Sequence, residues 1–230
     1  MTTRRTYDQA CPVAHTLDLV GERWTLLIVR DLMFGPLRFT DLRAGLAGLA
    51  PNLLSDRLRS LVERDIVERR DRSPRGARAD YALTARGRQL APVIHELARF
   101  GVADWDDPDE GPPPPRLVRG ALLALMAPEV LDAGAWSARI ELPDVVVQLT
   151  VAEPSERGSS LQRLHLGLDP PSATSADVCV RTTLGALLAL RRGSLGVVDA
   201  LDAGRLDVAG RGRPRRQLAR LLGWGPPEGT

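Results

Sequence analysis

A chain of 230 residues with 31 basic side chains, 29 acidic ones and a formal net charge of +2 has room for two modest domains, each able to bury its own core. That charge is too small to name a polyanionic partner from bulk composition, and because every basic residue is arginine, arginine content alone argues nothing. Two cysteines, Cys11 and Cys179, are too few for a disulfide framework. No apolar run approaches the ~18 residues of a membrane span. Arg4 and Arg5 are not followed by the apolar stretch of a secretory signal, so the expected location is the cytoplasm, with no membrane contact.

The N-terminal half reads as mainly helical. Val13, Leu17 and Val20 form a short helical stripe that stops near Gly21. A helix over 22–34 follows, with Trp24, Leu27, Ile28, Leu32 and Met33 inward, and Gly35-Pro36 ends it. A short helix over 39–46 turns Phe39 and Leu42 inward. The next begins near Pro51, a residue favoured at the first helical position, and runs to about residue 64 with Leu54, Leu58, Leu61 and Val62 inward. The turn Ala47-Gly48-Leu49-Ala50 between the two suits a helix-turn-helix. Residues 66–69 have strand character, 71–76 break it and 79–83 resume it, which predicts a two-stranded hairpin, or wing. Thr84 is the expected N-cap of a last helix carrying Leu90, Val93, Ile94, Leu97 and Phe100, kinked at Pro92.

Wheel geometry at about 100° per residue puts Asn52, Asp56, Arg59 and Glu63 opposite the buried stripe of the fourth helix, with Ser55 and Ser60 flanking them. An amide near a helix N-terminus suits the bidentate pairing with adenine, and a guanidinium suits guanine or a phosphate. Arg38, Thr40, Asn52, Ser55, Asp56, Arg57 and Arg59 are the candidate DNA-facing residues of the helix pair. Residues 69–78 carry five arginines against Asp71 alone. Arg72, Arg75 and Arg78 are therefore candidate phosphate or minor-groove contacts, the alternative being a solvated surface loop. His15 and His95 have no neighbours with metal-ligand spacing, so neither a metal nor a cofactor is expected.

Taken together, Cys11-Pro12-Val13, Gly21 to Ile28, Gly35 to Phe39, Leu53 to Leu58, Tyr81 to Thr84 and Gly87-Arg88 resemble the HxlR-type winged-helix regulators over roughly residues 7–105. The resemblance implies a small cytoplasmic transcription factor that binds double-stranded operator DNA as a homodimer. Pairing would run through the first and last helices of this domain, near Tyr7 to Leu19 and from Ala85 to Trp105. It also makes Cys11 a candidate redox sensor, since a thiolate near positive charge is reactive; a structural cysteine without redox use is the alternative, since cysteine is among the most commonly buried residues.

The chain divides at Asp106 to Gly111, followed by four consecutive prolines. Prolines in a row cannot continue a helix and favour an extended spacer. The expected organisation is a DNA-binding and dimerisation domain over 1–106, a proline-rich linker over 107–115 and a second domain over 116–225. In the second domain, 117–126 reads as a helix. Residues 136–142, 145–151, 161–168 and 178–182 read as strands of a mixed or antiparallel sheet, and 184–191, 197–203 and 215–222 as helices. The fold class is α+β. Asp177-Val178, the helix from Leu184, Gly193 and Gly204 to Gly210 resemble the sterol carrier protein type-2-like fold, which implies a sheet backed by helices around a tunnel for a hydrophobic ligand. The alternative is that Leu187, Leu188, Val197 and Val198 fill an ordinary core.

The expected function is a sequence-specific transcriptional regulator, acting as a repressor, whose distal domain binds a hydrophobic small-molecule effector. Two alternatives differ in class. One is a constitutive DNA-binding protein with a purely structural distal domain. The other is an enzyme that uses the winged helix only to dimerise; it would need a Gly-rich cofactor loop, and neither such a loop nor any catalytic residue stands out.

Overall fold

The computed structural model describes residues 6–71, 79–102, 105, 115–155, 159–168 and 175–224. Arg72, Arg75 and Arg78 of the expected wing tip and residues 107–114 of the expected 107–115 linker lie outside them, while Pro115 begins a helix. The chain divides between Ile94 and His95 into two compact units.

In the first unit the order is α1 (Pro12–Val20), α2 (Thr25–Leu32), β1 (Leu37–Arg38), α3 (Phe39–Gly45), α4 (Pro51–Glu63), β2 (Val67–Asp71), β3 (Ala79–Leu83), α5 (Ala85–Arg88) and the start of α6 (Ala91–Val102). Its core is built from Val20, Ile28, Val29, Leu32, Leu42, Leu46, Leu54, Leu58, Leu61, Ile66 and Leu83. The expected α2 stripe is rotated. Ile28, Val29 and Leu32 are buried, whereas Leu27 is exposed because α2 starts only at Thr25, after Trp24 adopts a left-handed backbone (φ 78°). Trp24 itself is half-buried against the core. Val62 likewise faces solvent, one position beyond the Leu54/Leu58/Leu61 row that docks α4.

The hairpin of β2 and β3 forms with Val67 opposite Leu83 and Asp71 opposite Ala79. A third strand, β1, pairs antiparallel with β3 through Leu37 and Arg38, a two-residue element without a periodicity to read. Thr84 caps as expected, its Oγ1 accepting from Gly87 N at 2.9 Å while donating to Asp65 O at 2.6 Å. The capped helix, however, is only the four-residue α5. The chain then breaks and restarts as α6 at Ala91, so Pro92 sits in the first turn, where its missing N–H costs no helical bond. The single helix kinked at Pro92 is thus corrected to two helices.

Gly87 lies against the β2 entry: a Cβ there would come within 2.0 Å of Ile66 O. Gly87→Ala is accordingly expected to destabilise the first unit by about 1–3 kcal/mol, the usual range for forcing atoms into a packed site, read as a lower urea midpoint. An unchanged midpoint would show that α5 moves away freely.

The second unit comprises the rest of α6 followed by α7 (Pro115–Leu125), β4 (Trp136–Leu142), β5 (Val145–Val151), β6 (Leu164–Leu168), β7 (Val178–Thr182), α8 (Leu184–Arg192), α9 (Val197–Asp202), β8 (Leu206–Gly210) and α10 (Gly212–Leu221). The five strands form one mixed sheet in the order β6-β5-β4-β7-β8. All neighbours are antiparallel except β4 and β7, which run parallel. β8 is one strand more than the sequence pattern implied; it is an edge strand with only Leu206 and Val208 alternating inward before Gly210. One sheet face is apolar and buried, with Ala138, Ile140, Val147, Leu149, Val178 and Val180 fully enclosed. The other carries Arg139, Glu141, Gln148 and Arg181.

Several polar side chains fix this unit. The buried His95 shares its Nε2 with Met126 O at 3.1 Å, joining the middle of α6 to the residue that follows α7. Buried Arg163 donates to the carbonyls of Ala152 at 2.8 Å and Asp132 at 2.8 Å, closing the loop before β4 onto the sheet. Gln217 of α10 accepts from Asp132 N at 3.0 Å. Glu141 is held below the usual carboxylate range by the hydrogen bond from Arg139, with Arg181 adding to the effect.

Candidate nucleic-acid interface

The helix pair α3 and α4 is set by its connecting turn. Leu46 and Leu49 are buried, Leu49 N donates to Leu46 O at 3.0 Å, and Gly48 adopts φ +85° between them, a conformation that glycine takes without steric cost. Pro51 then occupies the first position of α4.

With Leu54, Leu58 and Leu61 locked into the core, Asn52, Ser55, Asp56, Arg59 and Glu63 are left exposed along one side of α4. The rigid register matters because a base edge must be met within hydrogen-bond range. Asn52 stands in the first turn, the end that usually enters a major groove. Ser55 Oγ donates back to Pro51 O at 3.1 Å. Arg59 NH1 lies 3.1 Å from Asp56 Oδ1 across one helical turn, with both side chains more than half exposed. Such a surface pair is worth little, so the guanidinium is orientated without being held.

Arg57 stands apart from this set. Its Nε donates to Arg23 O at 3.3 Å, its NH1 pairs with Glu22, and only a fifth of its side chain is exposed. It pins α4 to the turn between α1 and α2. No local signal marks this, since the partners lie 34 and 35 residues away in sequence. Arg38, half exposed, reaches Asp80 of β3 at 3.8 Å, while its backbone N–H donates to Asp41 Oδ2 at 3.3 Å at the start of α3. Thr40 is exposed beside it.

On the wing, Arg69 pairs with Asp71 at 3.3 Å and Arg70 with Glu68 at 2.8 Å. The carboxylates of β2 thus neutralise its two arginines, and the charge expected of the wing rests on Arg72, Arg75 and Arg78.

Cys11 is the N-cap of α1. The nearby backbone N–H groups of Ala14 and Val13 hold its thiol below the usual range, since they favour the thiolate, though the side chain makes no capping hydrogen bond. Two helices carry apolar residues that the single chain leaves in water: Val13 and Leu17 on α1, and Val93, Leu97 and Phe100 on α6, with Phe100 80% exposed. The spacing along α6 puts all three on one side of that helix.

In the second unit a cleft of about 700 Å³ opens at one end of the sheet, with Leu142, Pro143 and Val146 on the apolar side and Glu141, Arg181 and Arg205 on the polar side.

The helix-turn-helix carried against a wing sheet, its second helix turned outward with amide, hydroxyl and guanidinium groups, is the arrangement of a winged-helix DNA-binding protein. The HxlR-like helix-turn-helix family profile matches residues 19–109. The HTH-type transcriptional regulator sll1512 of Synechocystis sp. is 36% identical over 95 residues, 41% of this chain and 70% of that protein. YvaP of Bacillus subtilis, also an HTH-type transcriptional regulator, is 34% identical over 101 residues, 44% of this chain and 93% of that protein. MT3179 of Mycobacterium tuberculosis, with the same description, is 45% identical over 101 residues, 44% of this chain and 63% of that protein. This chain belongs to the HxlR-like helix-turn-helix family of transcriptional regulators.

Proposed function

We propose that this regulator reads its operator with α4 as a homodimer, and that its second unit is a domain for a small hydrophobic effector. The single observation that carries the DNA reading is the exposed row of Asn52, Ser55, Asp56 and Arg59 on a helix whose opposite face is locked into the core. Asn52 and Arg59 take the base edges; Asp56 orients Arg59, and Ser55, Thr40 and Arg38 contact the backbone. Arg72, Arg75 and Arg78 add phosphate contacts from the wing. Bound over a promoter, such a dimer acts as a repressor by excluding polymerase.

The dimer reading is supported by the apolar faces of α1 and α6, which a solvated monomer has no reason to carry at that spacing. For the effector, the support is a sheet with one helix-covered apolar face and a cleft beside it, the kind of layer the sterol-carrier-like resemblance implies. The cleft's mixed lining favours a ligand with a polar group as well as an apolar body. An effector regulates only if it favours one dimer conformation over another. Cys11, with its lowered thiol, is the candidate for a second, oxidant-driven input.

Genome-wide footprinting of the bound protein tests the reading. Discrete protected sites overlapping promoters are expected; protection spread evenly over the genome would contradict sequence-specific regulation.

A further inference from the structure

The second unit is acidic on balance, with 15 arginines against 18 acidic residues from His95 onward. Within it, residues 211–220 hold five arginines and no acidic residue. These residues are α10 and its N-cap. Its inner face is fixed by buried Gln217, Leu218 and Leu221, so the outer face cannot turn away from solvent. Of the five, Arg220 pairs with Asp132 at 3.3 Å. Arg211, Arg213 and Arg216 are exposed and Arg215 is half exposed. None of these four has a carboxylate within ion-pair distance among the described residues. Gly134 has no side chain to crowd the guanidinium of Arg213, which lies directly over it.

The placement also opposes local electrostatics. The first turn of a helix carries partial positive charge and favours acidic side chains, yet this one has no acidic residue in its first turn and four cations at its start. Four like charges packed there raise the energy of the free protein, and an anionic surface relieves that repulsion. A local rule broken without internal compensation is expected at a functional site.

We propose that Arg211, Arg213, Arg215 and Arg216 form a second DNA-binding surface that engages backbone phosphates irrespective of sequence. The inference rests on the DNA-binding reading above. A duplex is the partner whose charge and repeat fit best: phosphates recur about every 3.4 Å along each strand, so the surface demands no particular register and adds affinity to any DNA beside the operator.

The test is the salt dependence of duplex binding by the full chain, measured by fluorescence anisotropy on a random-sequence 40-mer. Replacing all four arginines with glutamine should lower the slope of log K against log salt by about 2–4 per chain, near 0.9 for each phosphate no longer neutralised. Replacing all four with lysine should keep the slope within about one unit of wild type, because a point charge suffices for a phosphate. An unchanged slope in the glutamine variant would overturn the proposal and leave the patch to another acidic partner. So would an equal loss in the lysine variant, which would mark the arginines as structural. Wild-type protein that binds no duplex at all would instead overturn the DNA-binding reading itself, and the two failures are distinguishable.

Discussion

Asn52→Ala with Arg59→Ala is expected to weaken operator binding by at least about 30-fold and by up to ~10⁴-fold, since each specific base contact is worth roughly 1–3 kcal/mol. Both side chains are exposed and neither supports the core, so the thermal midpoint and the dimer constant should stay at wild-type values. Binding to random DNA should fall far less, because base contacts carry specificity and phosphate contacts carry bulk affinity. Gel-shift titrations on the operator and on a shuffled duplex measure both. Equal losses on the two duplexes would remove α4 from the role of reader.

The second large effect concerns assembly. Leu97→Asp with Phe100→Asp places charge on the apolar side of α6 and should raise the dimer dissociation constant by at least about 10⁴-fold. Losing the burial of a Phe or Leu costs roughly 1.5–3 kcal/mol, and a two-fold interface uses each residue twice. Both side chains already face water in the single chain, so the monomer's fold should be retained. Sedimentation equilibrium gives the constant directly. Operator affinity should fall with it, because two recognition helices must occupy half-sites about one helical turn apart. A variant that dimerises like wild type would move the interface away from α6.

The parts of this fold legible in the sequence are those set by local periodicity. Leu54, Leu58 and Leu61 announce α4 and its buried side, and the alternation from Trp136 to Leu142 announces β4. Elements that depend on distant partners are silent. β1 is two residues long and exists only because β3 accepts it. β8 is an edge strand completed by β7; its Asp207 faces Arg181 at 3.1 Å on the polar side of the sheet, and Leu206 and Val208 alone are too short an inward alternation to read. Pro92 reads as a kink until the break after α5 puts it in the first turn of α6.

The candidate site shows the same division. The exposed row of α4 follows from wheel geometry, so the exposure of Asn52, Asp56 and Arg59 is legible in the sequence. Arg57 shares the helix and the charge, yet its guanidinium turns to Glu22 and the Arg23 carbonyl. Only tertiary structure distinguishes an arginine left in solvent from one that fastens the helix. Leu27 and Val62 show the converse, apolar residues that fit a buried stripe and face water instead.

Selection of bound duplexes from a random pool tests most directly whether α4 is the element that reads sequence. Wild-type protein should enrich a two-fold symmetric motif whose half-site centres lie about 10–10.5 base pairs apart. Arg59→Ala alone should enrich the same spacing with preference lost at one position of each half-site. A wild-type pool without a shared motif, or an Arg59→Ala pool with the motif unchanged at every position, would contradict that role.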